Sequence, residues 1–270
     1  MKRCEYIHNP YYSNDVNTNE STINSQGVFE FHKTIEGFAP TPLISLESQA
    51  QELGVGALYV KDESQRFNMN AFKALGASFA IYKWMSQQKT TLEVSKLTFC
   101  TATDGNHGRA VAWAGRKLGV NAVVYVPSNT VPARIDAIKG EGAKVIVVDG
   151  NYDQTVTQAA QDAEENDWQV ISDTAYPGYM DIPADIMSGY TTIFQEIEND
   201  KNFREVDLVF LQAGVGGLAA AATWYYYNKY GQDAPRLVCV EPLDADCLLE
   251  SIKNGNGDIK EALGNQDSIM

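Results

Sequence analysis

From about residue 57 onward, short apolar runs alternate with longer segments in which apolar positions recur every three or four residues. Several runs are apolar at every position, as in strands of a parallel sheet that is covered by helices on both faces. The longer segments have the spacing of amphipathic helices. This alternation predicts an α/β fold with parallel sheets covered by helices. The predicted strands cover residues 57–60, 97–101, 122–126, 144–148, 168–172, 207–211 and 236–240, and the clearest predicted helices cover 71–88, 108–119 and 155–166.

The chain has neither an internal repeat nor a low-complexity linker, so two domains would have to be interleaved rather than strung in line. We expect a small domain of residues 95–180 inserted into a large domain made of residues 1–94 and 181–270. Residues 1–27 are rich in Asn, Ser, Thr and Tyr without a sustained period. We expect these residues to form an arm or an ordered surface segment.

Composition excludes several classes of function. The 270 residues are 44% hydrophobic, which is enough for a substantial core. The net charge of −14, without a Lys/Arg-rich stretch, argues against binding to nucleic acid or to an anionic membrane. No apolar run reaches the roughly 18–20 residues that span a bilayer, and the N-terminus lacks the apolar core of a signal peptide. Four scattered cysteines and three distant histidines predict neither a disulfide scaffold nor a metal site. We therefore expect a cytoplasmic protein with reduced thiols.

The first segment with candidate chemistry is SQRFNMNAFKALGASFA. Asn70 is the expected N-cap of a helix whose apolar face carries Phe72, Leu75 and Phe79. Lys73 would then lie in the first turn, where the helix dipole opposes a cation by up to about 1 kcal/mol. The dipole and partial burial would lower the pKa of the amine, as a Schiff-base lysine requires. A surface lysine that extends from a helix is the simpler interpretation of this segment taken alone.

Two further segments run from a predicted strand through a glycine-containing turn into a predicted helix, at residues 97–115 and 207–226. Backbone N–H groups at such a helix N-terminus can bind an anionic group, including a phosphate. The second turn lacks both the Lys-Ser/Thr ending of a P-loop and the G-x-G-x-x-G spacing of a dinucleotide site. Each turn also has a simpler interpretation. Asp104 could be a cap or turn residue in the first, and tight helix–sheet packing also favours glycine in the second.

A lysine at the start of a helix, an anion-binding turn and a phosphate-binding glycine loop are the parts that a pyridoxal phosphate enzyme needs. From residue 40 to its last residues, the sequence resembles the fold type II family of these enzymes, which includes tryptophan synthase β, threonine dehydratase and cysteine synthase. The resemblance rests on PTPL (40–43), KDE (61–63), FK (72–73), DGNHG (104–108) and GVGGL (214–218). Within that family it is strongest to the diaminopropionate ammonia-lyases, through RF…NAFKALG and TDGNHG.

The resemblance implies two interleaved domains with the cofactor in the cleft between them, since Lys73 precedes the insert and the glycine loop follows it. Lys73 would hold the cofactor, Asn106 would contact its ring hydroxyl and the loop at residues 214–218 would hold its phosphate. The expected cofactor-binding residues are Lys73, Phe72, Asn106, Gly214, Val215, Gly216, Gly217 and Leu218. The expected substrate-binding residues are Thr103, Asp104, Gly105, Asn106, His107, Tyr152 and Asp173. Tyr152 has a buried structural aromatic as its simpler alternative.

Asp104 narrows the expected substrate. In the better-known relatives this position is usually serine or threonine, and the loop binds the substrate carboxylate. A second carboxylate about 5 Å away would cost about 3 kcal/mol at an effective dielectric constant near 20, whereas the extra ammonium of 2,3-diaminopropionate would be favoured. Asp104 could also take the α-proton from the face opposite Lys73, which would admit the D-isomer. Asp173 is a second candidate for holding the distal amine, with a strand-end turn residue as its simpler interpretation.

The expected reaction is the α,β-elimination of D- and L-2,3-diaminopropionate to pyruvate and ammonia, with Lys73, Asp104 and Asp173 as catalytic residues. Two alternatives stay open. One is a serine/threonine dehydratase-like lyase. The other is a truncated, non-catalytic remnant of the family, because the chain stops where the relatives continue. We expect an amino acid as the only small-molecule partner besides pyridoxal 5'-phosphate, a homodimer, and no nucleic acid, membrane or metal.

Overall fold

The structure is a computed structural model that describes residues 6–10, 22–88, 93–103, 105–201, 203, 205–255 and 259–260. Residues 22–205 form one compact unit, and the described residues from 206 onward form a second unit together with residues 6–10. The predicted insertion of residues 95–180 into a larger domain stays a prediction.

The first unit contains helices α1 (Val28–Thr34), α2 (Glu47–Leu53), α3 (Lys73–Gln87), α4 (Asn106–Leu118), α5 (Pro132–Gly140), α6 (Tyr152–Asn166) and α7 (Asp181–Asn199). Its strands are β1 (Leu43–Ser45), β2 (Tyr59–Lys61), β3 (Thr98–Ala102), β4 (Asn121–Pro127), β5 (Lys144–Val148) and β6 (Gln169–Val170). The second unit contains β7 (Leu208–Gln212), α8 (Gly217–Tyr230), β8 (Arg236–Val240) and α9 (Cys247–Asn254).

The main sheet of the first unit has the strand order β5-β4-β3-β6, and its strands pair in parallel. Alternate residues of β4 point to opposite faces of this sheet. Val124 and Val126 pack on one face with Ala112 of α4 and Ile138 of α5, while Tyr125 packs on the other face with Ala159 of α6. Helices therefore cover both faces, and the predicted α/β class is confirmed. The continuous apolar run of β4 reflects its burial on two sides.

One predicted strand does not belong to a parallel sheet. The run at residues 57–60 corresponds to β2, which pairs antiparallel with β1 in a separate two-stranded sheet. Strand β1 follows the Pro-Thr-Pro-Leu segment and was not predicted. Val60 is exposed, as is Ile44 opposite it. The apolar run alone does not reveal this pairing, because it depends on a partner strand with a weak pattern of its own.

Helix α3 packs along α7, and two glycines allow the close approach. A Cβ built on Gly189 would lie 2.5 Å from the backbone oxygen of Leu75. A Cβ built on Gly76 would lie 2.6 Å from Cε1 of Tyr190 and 2.7 Å from Cγ2 of Ile186. A larger residue at either position would push the helices apart. This crossing sets the position of the first turn of α3.

Helix α3 begins at Lys73, two residues later than predicted, and Asn70 is not its N-cap. The N-cap position is Phe72, which makes no side-chain capping bond. Asn70 instead has a φ of 56°, in the left-handed region, like Phe67 and Asn68 before it. Phe67 and Asn68 form the end of a 3-10 segment at residues 63–68, and Asn70 lies two residues beyond it. Asparagine tolerates the left-handed conformation better than most residues. Asn70 therefore forms part of the turn before the helix and does not cap it.

A buried group of charges anchors the same turn. Arg66 is 1% exposed and donates to both carboxylate oxygens of Glu196 in α7 at 2.7 Å. It also donates to both carboxylate oxygens of Glu63, at 2.8 and 2.9 Å. Lys61 donates to Glu196 at 2.7 Å, so two cations face two carboxylates. Such paired, multiply bonded charges fix the chain entering α3, because removing one partner would leave a buried charge uncompensated.

The second unit holds two parallel strands and the glycine-containing turn. Strands β7 and β8 pair over five residues each, and Ala213 donates from its backbone to Val240 at 2.9 Å. Helix α8 begins directly after Gly216, whose φ of 86° places it in the left-handed region that favours glycine. In the described part of the chain, no helix combines the length and apolar character that crossing a membrane requires.

Candidate active site

Lys73 and Asp173 form an ion pair at the centre of the site. Nζ of Lys73 lies 2.6 Å from Oδ2 of Asp173, and the two side chains are 25% and 19% exposed. Lys73 is the first residue of α3, and Asp173 follows β6 by three residues. The backbone of Ile171 extends the β6 pairing by donating to Cys100 at 2.8 Å, which fixes the chain just before Asp173. Asp173 thus pairs with Lys73 just after β6, and its role with the substrate stays a prediction.

His107 is the third member of this group. Its Nε2 lies 2.8 Å from the carbonyl oxygen of Ile171, which can only accept, so Nε2 carries a proton. Its Nδ1 lies 3.7 Å from Oδ2 of Asp173 and has no hydrogen-bond partner among the described residues. The ring is 5% exposed and sits in the first turn of α4. A buried nitrogen that faces a carboxylate without a bond of its own is available to a ligand or a proton.

The electrostatics of the pair differ from the prediction for the lysine. Burial by itself would lower the pKa of Lys73, but Tyr190 and Asp173 outweigh burial and raise that pKa above its usual value. For Asp173, burial would raise the pKa, yet the neighbouring His107 and Lys73 hold it below its usual range. The prediction of a lowered pKa for Lys73 is wrong for the protein without cofactor. The helix dipole is a small effect beside a carboxylate in direct contact.

Tyr190 is a site residue that the sequence analysis missed. It lies in α7, is 1% exposed, and its ring meets the ring of Phe72 edge to face at 4.9 Å between centroids. Nζ of Lys73 lies 6.0 Å from the centre of the Tyr190 ring and 5.7 Å from that of Phe72. The sequence feature that could have pointed to Tyr190 is Gly189 directly before it in an apolar segment, because a glycine inside a helix often marks close packing.

The predicted substrate turn leads from β3 into α4. Thr103 is buried, and its hydroxyl accepts from the backbone of Gly105 at 3.1 Å. Asn106 opens α4 with an exposed side chain, and His107 follows it toward Asp173. Asp104 lies outside the described residues, so its proposed role stays a prediction. Backbone N–H groups at the start of this helix can receive an anionic group.

The predicted phosphate loop, Gly214 to Leu218, joins β7 to α8 in the second unit. Val215 is 57% exposed, and Gly217 is the first residue of the helix. As at every helix start, the first N–H groups lack partners within the helix and can bind a phosphate. The strand–glycine–helix arrangement has therefore formed as predicted. Its role in holding a cofactor stays a prediction.

Tyr152 opens α6 in the capping box that Asn151 forms with Gln154. Its side chain is 43% exposed, so the simpler interpretation of a buried aromatic is wrong. A role in the substrate pocket stays a prediction. In the described part of the chain, no cluster of three or more His, Cys, Asp or Glu residues could hold a metal ion.

Comparison with known proteins places this geometry in context. The sequence pattern of the family described as "Pyridoxal-phosphate dependent enzyme" matches residues 35–269. The chain is 39% identical to the diaminopropionate ammonia-lyase of Escherichia coli K12 over 285 residues, which cover 99% of this chain and 70% of that protein.

Solved structures agree. The E. coli diaminopropionate ammonia lyase in complex with an "aminoacrylate-PLP azomethine reaction intermediate" matches with a TM-score of 0.84 and 40% identity, over 93% of this chain and 67% of that one. Threonine deaminase isoform 2 of Solanum lycopersicum matches with a TM-score of 0.68 and 25% identity, over 87% of this chain and 67% of that one. These neighbours confirm the predicted fold class.

Proposed function

Because the chain belongs to the family of pyridoxal-phosphate-dependent enzymes, we propose that it eliminates ammonia from 2,3-diaminopropionate and yields pyruvate and ammonia. Two findings support this substrate. The first is the 39% identity to the E. coli diaminopropionate ammonia-lyase. The second, which carries the proposal, is the partly buried Lys73–Asp173 ion pair with His107 beside it.

The residues of each unit suit a part of the cofactor. In the first unit, the Lys73 amine is 25% exposed and thus reachable, and Nδ1 of His107 is a buried nitrogen without a hydrogen-bond partner among the described residues. In the second unit, the loop from Gly214 to Leu218 leads into a helix N-terminus suited to a phosphate. When bound, pyridoxal phosphate supplies an aldehyde for amines and a ring that withdraws electrons from the substrate's α-carbon. Lys73 would hold it through its nitrogen, Phe72 would flank it and Asn106 would contact the ring hydroxyl.

Asp173 is suited to the second ammonium of the substrate. Its carboxylate stays ionised because His107 and Lys73 lower its pKa against the effect of burial. Once the Lys73 nitrogen holds the cofactor, the carboxylate loses its nearest cation, and an unpaired carboxylate in a partly buried site is costly. A substrate with a β-ammonium restores that pairing. A serine or threonine hydroxyl would not, so the arrangement favours a diamino acid.

Lys73 also provides the proton transfer. Once released as a free amine, Lys73 takes the α-proton of the L-isomer at Nζ. The β-ammonium that pairs with Asp173 already carries the proton it needs, so it leaves as neutral ammonia without receiving another. Asp173 thus binds the leaving group, and in the structure its carboxylate also accepts a hydrogen bond from Nζ of Lys73 at 2.6 Å.

Use of the D-isomer is the finer part of the proposal, and Asp104 is its candidate base. Asp104→Asn keeps the shape and removes the charge, so it should reduce kcat for D-diaminopropionate far more than for the L-isomer, whose proton Lys73 takes. Binding of either isomer could weaken by up to about 3 kcal/mol, and less in a well-solvated site. Equal losses for both isomers would limit Asp104 to binding. No loss for either would make it a turn residue.

The proposed function is tested by product analysis of the protein supplied with pyridoxal phosphate. Pyruvate from D- and L-diaminopropionate is measured with lactate dehydrogenase and NADH, and 2-oxobutyrate from L-threonine is measured in the same way. We expect diaminopropionate to give the higher kcat/KM. Higher turnover of threonine or serine would favour the dehydratase alternative, and cofactor binding without turnover of any of them would favour a non-catalytic remnant.

A homodimer in the cytoplasm is a further part of the proposal, and it comes from the family resemblance. Light scattering after size-exclusion chromatography measures the mass of the particle directly. A single species near twice the chain mass of 29.7 kDa is the expected result. A species of one chain mass would overturn the dimer without affecting the chemistry.

A further inference from the structure

The hydroxyl of Tyr190 is a buried polar group beside the reactive lysine. The residue is 1% exposed, and its hydroxyl has no hydrogen-bond partner of normal geometry among the described residues. Burying a hydroxyl without a partner is unfavourable, because the group loses its hydrogen bonds to water. Native structures rarely keep such a group without a use for it. A phenylalanine would fill the same space without that cost, so the hydroxyl calls for a function.

The packing around Tyr190 fixes its ring. The glycine contacts of α3 and α7 place Cε1 of Tyr190 against Gly76, where a Cβ would lie only 2.6 Å away. The ring also meets Phe72 edge to face at 4.9 Å. Lys73, by contrast, carries its amine on a flexible four-carbon stem. The amine can therefore move between partners while the tyrosine stays in place.

Charge links Tyr190 to the lysine and to the aspartate. Nζ of Lys73 lies 6.0 Å from the centre of the Tyr190 ring. Burial raises the pKa of Tyr190 to about 12, with Lys73 opposing the increase and Asp173 adding to it. The phenol thus stays protonated at neutral pH, and its oxygen keeps lone pairs that can accept from an ammonium.

We propose that Tyr190 is a positioning residue for Lys73, whose hydroxyl accepts a hydrogen bond from the lysine amine and holds that amine in the site when the substrate occupies Asp173. An ammonium has three N–H groups, and Asp173 takes one of them in the structure. If the β-ammonium of the substrate pairs with Asp173, as the proposed function requires, Tyr190 is the polar side chain that remains beside the amine in the described part of the chain. This role of Tyr190 during substrate binding rests on the proposed function.

The test measures the free amine in the protein without cofactor or substrate. Competitive labelling with trace acetic anhydride at pH 8, read by peptide mass spectrometry, gives the reactivity of Lys73 relative to Lys83 in the same helix. Tyr190→Phe removes the acceptor and keeps the ring. Losing a hydrogen bond to an ammonium should raise the fraction of free amine, and so the labelling rate of Lys73, by about tenfold. The increase should be larger in an Asp173→Asn background, where the competing carboxylate is neutral.

The matched control is Tyr125→Phe, which removes a buried hydroxyl bonded to Asp162 on the far side of the sheet. It should leave the Lys73 rate unchanged. The proposal would be overturned if the labelling rate of Lys73 were unchanged both in Tyr190→Phe and in the double variant with Asp173→Asn. A higher thermal midpoint of these variants would then show that the hydroxyl is simply an unpaired polar group. Should Tyr190→Phe fold poorly, a double-mutant cycle of Tyr190→Leu with Lys73→Met decides the question. Strictly additive changes in stability would overturn the proposal, and coupling supports it.

The two proposals can fail separately. Absence of turnover on diaminopropionate would leave the labelling result valid, because labelling uses neither cofactor nor substrate. Unchanged labelling would leave the substrate proposal in place and remove only the role of Tyr190.

Discussion

Nζ of Lys73 contacts Oδ2 of Asp173 at 2.6 Å, although the two residues are 100 positions apart in the chain. The contact joins the start of α3 to the segment after β6, and Nδ1 of His107 in α4 lies 3.7 Å from the same carboxylate oxygen. Three elements that are separate in sequence thus bring an amine, an imidazole and a carboxylate together.

Lys73 should be the lysine that binds pyridoxal phosphate. Its amine is reachable and lies at the centre of the charged group. Borohydride reduction of the protein with pyridoxal phosphate, followed by peptide mapping, should place the label on the peptide that contains Lys73. Lys73→Ala should lose the label and the matched Lys83→Ala should keep it. Label on another lysine in the unaltered protein would refute the assignment.

Asp173→Asn should weaken binding of a diamino substrate more than it slows the reaction of bound substrate. The variant keeps the shape and removes the charge that pairs with the β-ammonium, so KM for diaminopropionate should rise about 10- to 100-fold, or about 1.4–2.7 kcal/mol. Steady-state kinetics measures the change. Asp167→Asn, at an exposed helix end, is the control and should leave KM as it is. A large fall in kcat with unaltered KM would restrict Asp173 to holding Lys73.

Gly189→Ala should destabilise the protein, because its Cβ would meet the backbone of Leu75 at 2.5 Å and that of Gly76 at 2.7 Å. Overpacking of this kind costs about 1–3 kcal/mol, measured as the free energy of unfolding in urea. The control is Gly140→Ala at the end of α5, where a Cβ would meet nothing within 4 Å. Equal stability of both variants would mean that α3 and α7 can move apart freely.

His32 should make stability depend on pH in the acidic range. Burial lowers the pKa of His32 to about 4, and both ring nitrogens are hydrogen-bonded, to Thr192 at 2.7 Å and to the backbone of Leu75 at 3.0 Å. Between pH 4 and 6.5 the unfolded chain therefore binds the proton and the folded chain does not, so stability rises with pH in that window.

The size of the effect follows from the difference in pKa. Stability should fall by up to about 3 kcal/mol as the pH decreases from 6.5 to 4. His32→Gln should lose this part of the dependence, whatever its stability at pH 7. His8→Gln, at an exposed position, should retain it. Parallel curves of unfolding free energy against pH for the unaltered protein and His32→Gln would contradict the prediction.

The local pattern of the chain was sufficient for most of the secondary structure. The apolar runs at residues 122–126, 144–148 and 236–240 became β4, β5 and β8 with ends that differ by at most one residue. The turn before α8 also formed where the glycines predicted it. These features depend on neighbours in sequence, because burial on both faces demands apolar residues at every position and a left-handed turn favours glycine.

Features that depend on distant partners were predicted less well. Asn70 had the composition of an N-cap but took a left-handed turn, since the charges around Arg66 fix the chain before α3. The pKa of Lys73 was expected to fall with burial, and it rises because Tyr190 and the carboxylate of Asp173 outweigh burial. In both cases a deciding side chain lies at least 100 residues away in the chain: Glu196, which accepts from Arg66, in the first case, and Asp173 in the second.

The sequence by itself determined which chemical groups this protein carries. These are a lysine at a helix start, a glycine turn able to hold a phosphate, and Asp173 after a strand, where it could either bind the distal amine or form a turn. Only the tertiary structure decided that Lys73 and His107 both face the Asp173 carboxylate, because the β3–β6 pairing and the start of α4 bring these residues together. The position of Tyr190 in the site was likewise decided by the tertiary structure. Its place beside Lys73 depends on the close crossing of α3 and α7 at Gly76 and Gly189, and a distance between two helices is not a property of either helix alone.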